Sequence, residues 1–125
     1  MFIEGKNISF KYPNSKIDNI KDFNIQLEKG EILAILGESG SGKSTMLRVM
    51  AGLEESYKGS MKIGDKTIFS ENEFVEPENR GIGMVFQDYA LFPHMTVKKN
   101  IQYGLKKVSK SEKEKIAMEM LELVN

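Results

Sequence analysis

The sequence has no cysteine, a single histidine, no surplus of charge of either sign and no long apolar run. Without cysteine there are no disulfides and no thiolate metal sites, which fits a reducing compartment such as the cytosol. One histidine and no cysteine leave no reason to expect zinc. Eighteen basic residues offset 18 acidic ones, so nothing electrostatic points to nucleic acid as a partner. The longest unbroken apolar run, Ile32 to Leu36, is far short of the roughly 20 residues of a membrane-spanning helix. The N-terminal residues alternate and include Glu4 early, so no secretory leader is expected. Any work at a membrane would have to go through other chains.

What is present is an ordinary globular composition over 125 residues, 40% hydrophobic and 29% charged, enough for one modest domain with its own core. Residues 2–10 read as a strand with Ile8 and Phe10 on one face, broken by Pro13-Asn14-Ser15. Asn24 to Glu28 alternates as a half-exposed strand and ends at a Lys29-Gly30 turn. Glu31 to Leu36 reads as a strand buried on both faces of a parallel sheet. A helix is expected from Lys43, with Met46, Leu47, Val49 and Met50 as candidate buried positions and Gly52 at its end. Two short strands, 60–63 and 67–69, flank the hairpin signal Gly64-Asp65. Ser70 to Arg80 reads as a polar surface loop and Gly81 to Phe86 as a second buried strand. A short helix near 97–105 precedes a longer one opened by Ser109 and Glu112 in capping-box spacing. That helix would carry Ile116, Ala117, Met120, Leu121 and Val124 on one face.

The segment Gly37-Glu38-Ser39-Gly40-Ser41-Gly42-Lys43-Ser44-Thr45 matches the P-loop pattern G-x-x-x-x-G-K-[ST] in full, between an apolar run and a helix start. Glycines let successive backbone N–H groups turn inward as an anion nest. The helix start adds free N–H groups and the positive end of its dipole. Lys43 is expected to reach β- and γ-phosphates, the Ser44 hydroxyl to ligate Mg²⁺, and Thr45 to donate to an α-phosphate oxygen. The plain alternative is a glycine-serine turn before a helix. Against it stands Lys43 itself, a cation at the positive end of a helix, which is unfavourable unless an anion is present.

The wider sequence resembles the ATP-binding cassette family, the nucleotide-binding subunits of ABC transporters. Ile8-Ser9-Phe10-Lys11-Tyr12 is similar to the family's aromatic loop, with Tyr12 at the position that stacks on adenine. Leu36 to Arg48 resembles the family's phosphate loop, and Ala51-Gly52-Leu53 followed by Gly59 to Gly64 resembles its usual sequel. Arg80 to Val97, with Gln87 inside it, resembles the Q-loop region of importers for iron, polyamine, sulfate or sugar. The resemblance runs from residue 2 to 125. It implies an α/β fold, a P-loop NTPase (RecA-like) core with an antiparallel β-subdomain. Residues 1–108 would form the N-terminal part of the nucleotide-binding domain, and 109–125 would start a helical subdomain left incomplete. It implies ATP and Mg²⁺ as ligands, with Gln87 contacting the metal or the attacking water. The implied partners are transmembrane permease subunits, a second ATP-binding subunit and, indirectly, a solute-binding protein, on the cytoplasmic face of a membrane. Small P-loop kinases and GTPases, or a non-catalytic interaction module, remain alternatives. The kinase or GTPase reading explains Lys43 and Ser44 but not Tyr12, Gln87 and the hairpin strands.

The family's Leu-Ser-Gly-Gly-Gln signature does not occur in the sequence, nor does an apolar strand ending in Asp-Glu. His94 does not match the family's switch histidine, which lies further on, and is expected at the surface. Asp88 is separated from its apolar run by Gln87, unlike a Walker B acid. Tyr89-Ala90-Leu91-Phe92-Pro93 is apolar for a loop and either folds back or docks a partner. The chain is therefore expected to be the N-terminal half of a transporter ATPase, itself soluble, binding nucleotide without hydrolysing it.

Overall fold

The computed structural model describes residues 2–124. They fall into two compact units, one ending at Met84 and the other starting at Val85.

The first unit is built on a four-stranded antiparallel sheet, β1 (Ile3–Phe10), β2 (Ile20–Leu27), β3 (Lys58–Ile63) and β4 (Lys66–Phe69), in the order β2-β1-β3-β4. Ile3 pairs with Leu27 on one side and with Ile63 on the other. The pairing then slips on both sides of β1. Asn7 (φ 50) and Asp22 (φ 45) take left-handed conformations within these irregular stretches. Bulges of this kind locally disrupt the ladder and its alternation. That is why Ile8, Ser9 and Phe10 are all buried in succession, whereas the sequence pattern places only Ile8 and Phe10 inward. The buried Ser9 hydroxyl is satisfied by accepting from the Asp22 N–H at 2.9 Å. β3 approaches the slipped part of β1 so closely that a Cβ on Gly59 (φ 104) would lie 2.6 Å from the Asn7 carbonyl oxygen. The β3–β4 hairpin turns through Gly64 and Asp65, as the sequence signals, with Ile63 opposite Lys66.

Helix α1 (Lys43–Ala51) packs Met46 and Val49 onto Ile8, Phe10, Ile20, Met61, Ile68 and Phe69 of the sheet. Met50 is half-buried, as expected, but Leu47 is exposed. The helix ends at Gly52 (φ 90), with the Leu53 N–H donating to Arg48 O at 2.9 Å, the hydrogen-bond pattern of a Schellman cap.

Three segments depart from the expected path. Residues 31–36 form no strand, and Ile32 and Leu36 are 94% and 90% exposed. Residues 81–86 form no strand either, with Val85 97% exposed. An apolar run records what a segment is able to bury, and a parallel strand needs neighbours on either side. Among the described residues no strand pairs with either run. The third segment, 70–80, folds back as a strap. Phe74 bridges Phe69, the Val75 N–H donates to Ile68 O at 2.9 Å, and a 3₁₀ turn at Pro77–Asn79 delivers Arg80 to the interior.

In the second unit α2 (Val97–Gln102) is capped by Thr96, whose hydroxyl accepts from the Lys99 N–H at 3.1 Å. The following helix, α3 (Lys110–Val124), has the expected Ser109 hydroxyl accepting from the Glu112 N–H at 3.2 Å. Lys98 pairs with Glu114 between these helices. Of the expected apolar face, Ala117 is buried and Ile116 and Leu121 are half-buried, while Met120 and Val124 are exposed. Ahead of α2, the Asn100 amide brackets residues 92–96, accepting from the Phe92 N–H and donating to Phe92, Met95 and Thr96 carbonyls.

Candidate functional site

The loop from Gly37 to Gly42 connects to α1 without a side-chain cap and with no acid in the first helical turn. Gly40 (φ 84) and Gly42 (φ 100) take the left-handed conformations that L side chains avoid. At Gly42 space is limiting as well, since a Cβ there would meet the Asn19 carbonyl oxygen at 2.9 Å. The loop is tightened by the Ser41 N–H donating to Glu38 O at 3.1 Å. Lys43 curls back over it, its ammonium donating to Gly37 O at 2.5 Å, Glu38 O at 2.7 Å and the Ser41 hydroxyl at 3.4 Å. An ammonium and a helix N-terminus thus share one short loop with no carboxylate in the first turn. This concentration of positive potential suits a multiply charged anion. Ser44 is exposed on the first turn of the helix, and Ser39 is exposed in the loop.

Tyr12 lies 33 residues before Thr45, yet its phenol oxygen is 3.3 Å from the Thr45 hydroxyl. Its ring stands edge-on to Phe10, with centroids 4.7 Å apart. The Tyr12 N–H, beyond the end of β1, donates to Asn19 Oδ1 at 2.9 Å. A cavity of about 300 Å³ opens beside the loop, between Asn19, Ile20 and Phe23 on one side and Gly37, Ser41 and Lys43 on the other. That is the lower end of the size range of small-molecule sites.

Two further contacts tie this neighbourhood to the start of β3 and the residue before it. The Tyr57 phenol donates to the Asp18 carboxylate at 2.7 Å, which holds that phenol above its ordinary pKa. Lys58 donates to Asp22 at 2.9 Å, lowering the Asp22 pKa and raising that of Lys58.

The structure therefore brings together Tyr12 and the contiguous set Gly37, Glu38, Ser39, Gly40, Ser41, Gly42, Lys43, Ser44 and Thr45. Gln87 belongs to the second unit, exposed in a turn with Asp88. His94 is exposed, edge-on to Phe92 at 5.9 Å. Tyr89 and Leu91 are exposed, and Tyr89 (φ 65) and Ala90 (φ 51) are left-handed. Motif reading misses Asn19, Asp18 and Arg80, because each acts through a contact with residues distant in sequence. The one local hint is that Asn19 immediately precedes the strand β2. Among the described residues no helix is long and apolar enough to cross a membrane.

A family model described as "ABC transporter" matches residues 20–125, and the chain belongs to that family. Among curated proteins it is 45% identical over 101 residues to the sn-glycerol-3-phosphate import ATP-binding protein UgpC of Chromobacterium violaceum, covering 81% of this chain and 26% of that protein. It is 42% identical over 121 residues to the maltose/maltodextrin import ATP-binding protein MalK of Mannheimia succiniciproducens, covering 95% and 31%. It is 46% identical over 108 residues to the sulfate/thiosulfate import ATP-binding protein CysA 2 of Agrobacterium fabrum, covering 85% and 30%. The chain thus spans less than a third of the length of these relatives. Among solved structures it resembles the dimeric post-hydrolysis state of the ATP-binding cassette MJ0796 bound to ADP and Pi. The TM-score is 0.79 at 27% identity, covering 96% of this chain and 56% of that one. The fold is accordingly α/β, that of a P-loop cassette with an antiparallel β-subdomain.

Proposed function

We propose that this chain supplies the nucleotide-binding part of an importer ATPase subunit and binds ATP across Tyr12 and the phosphate loop. One observation carries the reading. The ring expected to face a purine and the loop expected to hold phosphates meet through the Tyr12–Thr45 contact at 3.3 Å. In this reading, Lys43 exchanges its carbonyl partners at Gly37 and Glu38 for β- and γ-phosphate oxygens, and the loop amides hold the rest of the triphosphate. Stacking on a flat ring suits any purine, so Tyr12 alone does not choose ATP over GTP.

Mg²⁺ fits the donors present. The exposed Ser44 hydroxyl is a neutral oxygen on the first turn of α1, and Mg²⁺ is commonly held by few protein oxygens together with substrate phosphates. Bound there, the ion would neutralise phosphate charge. Gln87, the further oxygen donor that the family resemblance implies, lies in the second unit and is exposed there. Support for the importer class comes from the names of the relatives, each an import ATP-binding protein. From it follow the proposed partners: permease subunits, a second ATP-binding subunit and, indirectly, a solute-binding protein, with the assembly on the cytoplasmic membrane face. The exposed apolar runs at 31–36 and 81–86 support the view that both pair with sheet strands outside this sequence. Residues 109–125 would then open a helical subdomain. The signature and Walker B acids do not occur here, so the chain itself is expected to bind nucleotide without turnover.

The test is a steady-state phosphate-release assay beside a binding titration with MgATP. Binding with release at background is expected. Release well above background that Lys43→Ala abolishes would overturn the binding-only assignment, and phosphoryl transfer to a small acceptor would favour a kinase instead.

A further inference from the structure

Asn19 touches both halves of the proposed site. Its side-chain oxygen accepts from the Tyr12 N–H at 2.9 Å, and its own N–H donates to Phe10 O at 2.9 Å. Its carbonyl oxygen abuts Gly42 so closely that a Cβ there would lie 2.9 Å away. β1 ends at Phe10, so the Tyr12 N–H has left the sheet ladder and takes its partner from Asn19. The turn between them is closed by the Ser15 N–H on Tyr12 O at 2.9 Å and is latched by the Tyr57–Asp18 hydrogen bond at 2.7 Å to the residue just ahead of β3.

We propose that Asn19 is a positioning residue that fixes the spacing between the Tyr12 ring and the phosphate loop, and so couples recognition of a purine base to recognition of its polyphosphate. The proposal rests on the nucleotide-binding reading above and adds a specificity role for a residue outside the phosphate loop. Its chemistry is specific. Position 19 needs a side-chain acceptor of this length facing the Tyr12 N–H, together with a backbone carbonyl that only a glycine at 42 can approach. Losing the acceptor frees Tyr12 to move relative to the phosphate loop. Base stacking then weakens, while the amides of the loop, Lys43 and the helix start still hold phosphate.

The experiment compares dissociation constants for MgATP and for magnesium tripolyphosphate, by calorimetry on the whole chain, in the parent, in Asn19→Ala and in Asn19→Asp. The readout is the ratio of the two constants, which general destabilisation of the loop does not move. In the parent, ATP is expected to bind more tightly than tripolyphosphate. Asn19→Ala is expected to weaken ATP by about tenfold, the scale of one lost base–aromatic contact, and to leave tripolyphosphate unchanged. Asn19→Asp keeps the acceptor. Its charge repels tripolyphosphate, the more highly charged ligand, at least as strongly as ATP, so a preference for ATP no smaller than the parent's is expected. A parent-like ratio in Asn19→Ala, or an alanine-like ratio in Asn19→Asp, overturns the proposal. If Asn19→Ala does not fold, Asn19→Leu, of similar size but with no acceptor for the Tyr12 N–H, takes its place: a reduced preference for ATP supports the role and a parent-like ratio overturns it. A parent that binds tripolyphosphate but shows no preference for ATP removes the role of the ring, and Asn19 with it. A parent that binds neither ligand overturns the nucleotide reading itself.

Discussion

Replacing Lys43 with alanine is expected to lower the affinity for MgATP by about 10- to 100-fold, measured by calorimetric titration, and to leave the melting temperature of the free protein essentially unchanged. Hydrogen bonds from a charged donor contribute about 1.5–3 kcal/mol each, and 1.4 kcal/mol corresponds to about a factor of ten in binding. The fold has little stake in the side chain. Among the described residues the ammonium donates to Gly37 O, Glu38 O and the Ser41 hydroxyl. These groups lie in an exposed loop, where water replaces the lost donor. The substitution also removes a positive charge from the positive end of α1, which slightly favours the free helix. Affinity and stability should therefore separate, and parent-like affinity in the variant would contradict the role assigned to the loop.

The opposite separation is expected at the other end of the same helix. Arg80 is 4% exposed. Its guanidinium donates to Val49 O at 3.2 Å, Met50 O at 2.9 Å and Val75 O at 2.7 Å. Val49 and Met50 belong to the last turn of α1, where the dipole end is negative; Val49 O also accepts from the Gly52 N–H at 3.2 Å. The guanidinium also lies over Phe74 and Phe69, 4.8 and 5.6 Å from their ring centroids. Burial pulls its pKa below the ordinary value, and Glu76 opposes that shift. Arg80→Met fills similar volume but leaves the three carbonyls without this donor, two of them at the helix end. The expected loss is about 2–4 kcal/mol, a fall in melting temperature of about 10 °C or more for a unit of this size. Arg80→Lys should recover little, because one ammonium does not reproduce the planar fork. A melting temperature within a degree or two of the parent would show that the strap 70–80 does not hold α1.

The contrast between these two residues marks where the sequence was legible. Lys43 sits in a contiguous motif whose geometry is local: glycines at 40 and 42, a helix start, and a cation on its first turn. The Gly64-Asp65 hairpin, the Gly52 helix end and the Ser109 cap are equally local, and all were readable. Arg80 was not, because its partners lie on α1 and in the strap, and a polar stretch with one proline looks like any exposed loop. Asn19 was missed for the same reason. The runs 31–36 and 81–86 failed differently. Their apolar character was read correctly, but burial needs a second surface, and hydrophobicity alone does not supply one. At Ile8-Ser9-Phe10 alternation accounts for the two apolar residues but not for Ser9, which a slip in strand pairing turns inward beside its Asp22 partner.

The most direct measurement of the central claim follows backbone amide shifts as inorganic tripolyphosphate is titrated into isotope-labelled protein. The expected result is saturable shifts concentrated on the amides of 37–45, strongest from Gly40 to Ser44 and absent from the β3–β4 hairpin. Shifts spread evenly over the lysines of the surface, or no shifts at all at millimolar ligand, would mean that the junction ahead of α1 is an ordinary turn.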